Sequence, residues 1–86
     1  MKENVVIQSP GAFISGLMDE RKMTVKELAK QADIPAVVLR DVLSGKSVVT
    51  VTVAEKLEKV FRVPAKTFIN REILWRKHLL QQRRNR

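Results

Sequence analysis

Most ionisable side chains in this 86-residue chain are cations. Lys26, Lys30, Arg40 and Lys46 lie close together along it, with Thr24, Ser44 and Ser47 among them. Lysine offers a point charge, arginine a fork of donors, and a hydroxyl one further donor. Together they suit anionic oxygen. They do not make a catalyst. His78 is the only histidine and cysteine is absent. No Asp or Glu shares the helical face of His78, so neither a histidine-assisted nucleophile nor a metal site is expected. Paired catalytic carboxylates and a phosphate-cradling glycine loop are also missing from the pattern. No catalytic residue, metal or cofactor is expected.

The net charge of +8 supports a polyanionic partner, and its placement sharpens the point. Residues 62–86 hold eight Lys/Arg and one Asp/Glu, a net +7, while residues 1–61 hold nine and eight, a net +1. A basic end of this kind favours nucleic acid first and anionic surfaces second. Within it, Arg71, Arg76, Lys77, Arg83, Arg84 and Arg86 are offered to phosphate or an acidic partner. A solubilising face is the plain alternative.

The elements that must position these groups centre on Thr24 to Gly45. Thr24 stands three places before Glu27, the capping-box spacing that opens a helix. Val25, Leu28, Ala29 and Ala32 follow as one apolar stripe. Pro35 then interrupts: it forces the residue before it out of helical geometry and suits the first turn of a new helix. The second helix buries Val38, Leu39, Val42 and Leu43, and Ser44-Gly45 stops it. Two short helices joined by a tight turn form a helix-turn-helix, which places its second helix in the DNA major groove.

The rest of the chain supports that unit. Ser9-Pro10 starts a first helix running to about Arg21, with Phe13, Ile14, Leu17 and Met18 inward. Gly16 inside it costs roughly 1 kcal/mol against alanine, which a close helix approach would explain. Asp19, Glu20, Arg21 and Lys22 read as a solvated end. After Gly45, Val49 plugs the core and Thr50 caps a helix with Val53, Leu57, Val60 and Phe61 inward. Val63-Pro64 ends it, and a fifth helix spans Ala65 to Gln82. That helix is about 27 Å long at roughly 1.5 Å per residue, and its first half closes the core. Its later apolar residues, from Leu74 to Leu80, project past the body and call for a partner, and Phe68, Ile69, Ile73, Trp75 and Leu79 are its candidate dimer contacts.

This predicts an all-α, five-helix fold. Residues 1–8 form an arm, 9–82 one domain and 83–86 a basic tail. An apolar content of 44% with 5% aromatic residues fits a small helical domain. No apolar run approaches the roughly 20 residues that cross a bilayer, and Val5 to Ile7 is too short for a signal-peptide core. A cytoplasmic location and no membrane partner are expected.

Pro10-Gly11, Thr24-Val25-Lys26-Glu27-Leu28-Ala29, Leu39, Leu43-Ser44-Gly45-Lys46, Thr50, Ala54, Leu57 and Val63-Pro64 together carry a resemblance. They resemble the lambda-repressor-like helix-turn-helix proteins and, more narrowly, the HigA (plasmid-maintenance, virulence-associated protein I) antitoxins, over about residues 9–75. The resemblance implies a five-helix domain that binds a palindromic double-stranded operator as a homodimer. It also implies repression of its own toxin–antitoxin operon and neutralisation of a small ribonuclease toxin. The DNA-contacting positions are then Thr24, Val25, Lys26, Lys30, Pro35, Ala36, Val37, Arg40, Ser44, Lys46 and Ser47.

The departures fall on that surface. Val25 and Ala36 stand where the superfamily often carries glutamine. Paired hydrogen bonds to a base edge are worth about 1–3 kcal/mol of discrimination each, and alanine or valine offers only contact with a thymine methyl. Asp41 would repel phosphate. Arg40 is left as the best reader of a base. Two alternatives stand beside the repressor: a module that mainly sequesters a toxin with weak DNA binding, and a phage-type regulator without a toxin.

Overall fold

A computed structural model describes residues 8–84 as five helices: α1 Pro10–Glu20, α2 Val25–Ala32, α3 Ala36–Ser44, α4 Val51–Phe61 and α5 Ala65–Arg84. The described residues contain no strand, in keeping with the expected all-α lambda-repressor-like class. Residues 1–7 of the expected arm and 85–86 of the expected tail lie outside the described residues. No described helix is long and apolar enough to cross a membrane.

Local chemistry sets the helix starts. The Ser9 hydroxyl accepts from the Ala12 amide at 3.1 Å, with Pro10 in the first turn. Thr24 and Glu27 form the expected reciprocal box, at 2.9 and 3.1 Å. Thr50 accepts from the Val53 amide at 3.2 Å, so Val51-Thr52-Val53 is helix despite its β-branched composition. Each of these bonds satisfies an amide that the helix itself leaves without a partner. Pro35 is the residue before α3 rather than its first helical residue, and α3 has no side-chain cap. α5 runs two residues past the expected Gln82.

The core gathers one stripe from every helix. Ile14, Leu28, Leu39, Ala54, Leu57 and Phe68 are fully buried, and Ile34 and Val49 close it from the loops. Phe13 and Leu17 are only partly buried against this cluster. α4 and α5 pack together, as do α1 with α3 and α5, and α2 with α3 and α4. Burying each large aliphatic or aromatic side chain is worth about 1.5–3 kcal/mol, which is how helices of 8 and 9 residues persist.

Two expectations fail on tertiary contacts. Gly16 has nothing within 4 Å of where a Cβ would stand, so no close approach explains it. The close approach is at Gly11, where a Cβ would overlap the Leu43 carbonyl oxygen and lie 2.9 Å from that of Val42. Arg21 is not a merely solvated end. Its guanidinium donates to the carbonyls of Val60 at 2.8 Å and Phe61 at 3.3 Å, and sits 5.2 Å from the Phe61 ring centroid. A cation there satisfies carbonyls left over at the end of α4 and faces the negative end of its dipole.

The two glycines give opposite predictions. Gly11→Ala forces a methyl into backbone and lowers stability by about 1–3 kcal/mol or more. Gly16→Ala raises stability by about 0.5–1 kcal/mol through helix propensity alone. Urea unfolding followed by circular dichroism measures both, and equal effects would contradict the packing described.

Candidate nucleic-acid interface

The turn between α2 and α3 is built without glycine. Asp33 ends α2 in the left-handed region at φ 58° and ψ 47°. The next amide, of Ile34, returns to the Ala29 carbonyl at 3.0 Å, and the Ile34 side chain enters the core. Lys56 Nζ reaches the Asp33 carbonyl at 2.9 Å and ties the turn to α4. Pro35 then fixes the chain direction into α3.

Burial decides which way α3 faces. Leu39 and Val42 are in the core, with Ala36, Val38 and Leu43 packed partly against it. The opposite side, at helical spacing, presents Val37, Arg40 and Ser44, with Asp41 half-buried at its edge. Val37 is 66% exposed, a large apolar group held in water. Ser44 Oγ is already engaged, donating to the Asp41 carbonyl at 3.2 Å.

The flanks of α3 are polar and cationic. Lys26 and Lys30 are exposed one turn apart on α2, beside exposed Thr24. Val25, like Ala36, is half-buried against the core. After Gly45, at φ 87°, the amides of Lys46 and Ser47 both donate to the Asp41 carbonyl, at 2.9 and 3.1 Å. This curls the loop back on α3 and leaves Lys46 exposed. Among the described residues the one ion pair is Glu72–Arg76, so no carboxylate neutralises Lys26, Lys30, Arg40 or Lys46. The structure thus brings the α3 face, the start of α2 and the α3–α4 loop into one neighbourhood, because α2 and α3 pack against each other.

α5 places the other expected contacts unevenly. Phe68 is fully buried within the chain and is not available to a partner. Ile69 packs partly on the core, and Trp75 and Leu79 are half-buried. Ile73 is 50% exposed. Leu74 and Leu80, the ends of the stripe expected to project past the body, are more exposed still. Two cations of the basic end are used internally: Arg71 lies 3.9 Å from the Phe13 ring centroid, and Arg76 pairs with Glu72. Trp75 and His78 pair with ring centroids 5.5 Å apart. No group of potential metal ligands occurs among the described residues. An open groove lined by Glu55, Glu58, Lys59, Arg62 and Pro64 carries mixed charge and includes none of the expected site residues.

Glu72 has a structural role that no local sequence pattern announces. It is the only buried charged residue among those described, and it accepts from the Val49 amide at 3.0 Å. Its one visible signal is its solitude, a single acid among the cations of residues 62–86.

The sequence profile of the helix-turn-helix family matches residues 15–68. No curated protein matches the chain significantly. Solved structures do. An addiction module antidote protein of the HigA family from Coxiella burnetii is similar with a TM-score of 0.82 at 22% identity, covering 92% of this chain and 87% of that one. The antitoxin HigA of Pseudomonas aeruginosa, solved with the higBA promoter, is similar with a TM-score of 0.76 at 16% identity, covering 92% and 90%. At these identities the likeness is one of fold.

The left-handed turn can be tested directly. A branched residue at that geometry costs about 1–2 kcal/mol, while glycine adopts it freely. Asp33→Val therefore lowers the unfolding midpoint and Asp33→Gly preserves or raises it. The Lys56 bond survives both, since it goes to the main chain. Thermal unfolding at matched concentration checks the order, and a Val variant as stable as the Gly variant would refute it.

Proposed function

This chain belongs to the helix-turn-helix family, and from that premise we propose that it is a DNA-binding repressor acting as a dimer on a palindromic operator. The observation that carries the reading is the outward side of α3, with Val37 and Arg40 exposed between unpaired Lys26, Lys30 and Lys46. Two copies would present their third helices to half-sites about one helical turn apart, roughly 34–36 Å. Lysines hold the phosphates and fix the register. Arg40 reads a base edge, and Val37 and Ala36 touch thymine methyls. The fold shared with HigA proteins supports a finer reading. The chain is then the antitoxin of a HigBA-type pair, repressing its own operon and neutralising a ribonuclease toxin. It binds rather than catalyses, and residues 9–82 act as one unit.

Dimerisation is assigned to α5. Ile73, Leu74 and Leu80 stay exposed after the core is complete, and half-buried Trp75 and Leu79 lie beside them. The same surplus of apolar surface supports a second reading, in which the chain mainly sequesters a toxin and binds DNA weakly. Copurification with the product of the neighbouring small open reading frame separates the two.

An anisotropy titration with DNA from upstream of its own gene tests the main reading. Specific binding should weaken steeply with salt, by about 0.9 log units per log unit of salt for each phosphate contacted. Arg40→Ala should cost about 1–3 kcal/mol and relax preference at one base pair in each half-site. Equal affinity for unrelated duplexes at moderate salt would contradict specific repression.

Sedimentation at micromolar concentration tests the assembly. The expected result is a dimer that dissociates when Ile73 and Leu80 are both changed to Asp. A wild-type monomer would overturn the assignment.

A further inference from the structure

The α3–α4 loop is held from a distance by one carboxylate. Val49 is the plug of that loop, 6% exposed, and its buried amide has its partner in Glu72 Oε1 on α5, at 3.0 Å. A buried amide without an acceptor is rarely tolerated. The loop's other anchors all lie within its own neighbourhood: the Asp41 carbonyl before it and the Thr50 cap after it. The Val49 side chain packs in the core, and among the described residues Glu72 makes the loop's one hydrogen bond to an element distant in the chain. The carboxylate is itself buried, and Arg76 Nε one turn along α5 compensates it. No other described residue combines burial, charge and a bond to a distant main-chain amide.

We propose that Glu72 is the positioning residue of the DNA surface. Through Val49 it sets the Gly45–Thr50 loop in the conformation that brings the Lys46 ammonium to a phosphate. It touches no DNA. This rests on the DNA-binding reading above and adds to it a residue outside the helix-turn-helix. It also explains why the basic end keeps a single acid. An apolar residue at this position would fill the space and leave the Val49 amide bare. A cation would leave the amide bare and also face Arg76.

The test uses the full chain and a labelled duplex from upstream of its own gene, titrated across a salt series. Glu72→Met keeps the volume and removes the acceptor, whereas Glu72→Gln keeps an acceptor for the Val49 amide. Lys46→Ala reports the phosphate contact itself. Glu72→Met should weaken binding roughly tenfold and lower the salt slope by about 0.9, the loss expected for one phosphate contact. Lys46→Ala should do the same, and the double variant should be no worse than either single one. Glu72→Gln should restore the wild-type slope and most of the affinity.

Wild-type affinity and slope in a folded Glu72→Met protein would overturn the proposal. So would a loss of affinity at unchanged slope that adds to that of Lys46→Ala, since general destabilisation behaves that way. If Glu72→Met does not fold, hydrogen exchange in the wild-type protein decides. The Val49 amide should exchange as slowly as amides of the helix cores, and fast exchange overturns the clamp. If the wild-type chain does not bind the duplex, the DNA reading fails. Slow exchange at Val49, retained in Glu72→Gln, would then leave the clamp standing without its DNA role.

Discussion

The backbone of α1 meets the backbone of α3 at Gly11, where even a methyl group would strike the Leu43 carbonyl. That contact fixes the height of α3 above the first helix. It works with Leu39 and Val42, which allow α3 only one rotation about its own axis. Together they determine which residues of a nine-residue helix look outward. The other supports act on this seated helix. Ile34 and the left-handed Asp33 set its entry, Lys56 braces the turn from α4, and Glu72 braces the exit loop from α5. The seating comes from five helices, although the functional surface uses two of them and a loop.

That surface is better built for holding DNA than for discriminating among sequences. Under the proposed reading its hydrogen-bonding reader is Arg40, since Val37 and Ala36 have no polar side-chain atoms and the Ser44 hydroxyl donates to Asp41. Lys26, Lys30 and Lys46 are free of carboxylates and lie around it. Phosphate contacts set register and affinity but carry no base information. Specificity under this account comes from Arg40, from methyl contacts worth less than a paired hydrogen bond, and from the half-site spacing a dimer imposes. In the proposed dimer, the exposed aliphatic residues of α5 would supply the seam.

The amino-acid sequence made the helices legible because their signals are local. A capping box, hydroxyl caps at Ser9 and Thr50, prolines at turns and stripes at helical spacing all act within four residues. The buried stripe of α3 also told which face looks out. What stayed hidden depends on residues far apart in the chain. Arg21 closes the end of α4 across 39 positions, and Glu72 reaches Val49 across 23. A glycine in a helix announces a possible approach but not which glycine has the neighbour, so Gly16 drew attention that belonged to Gly11. Phe68 reads as one more apolar residue of a long stripe, and only the packing of α1 and α4 on α5 takes it out of reach of a partner.

The DNA surface proposed for this chain is the side of the domain formed by the start of α2, the outward face of α3 and the loop that Glu72 holds. Chemical-shift mapping of the labelled full chain, on addition of a duplex from upstream of its own gene, examines that claim residue by residue. The account predicts that the largest shifts cluster in residues 24–30, 36–40 and 44–49, with the groove at Glu55, Glu58 and Arg62 unmoved. Shifts concentrated on that groove, or on α5 alone with α3 silent, would contradict it.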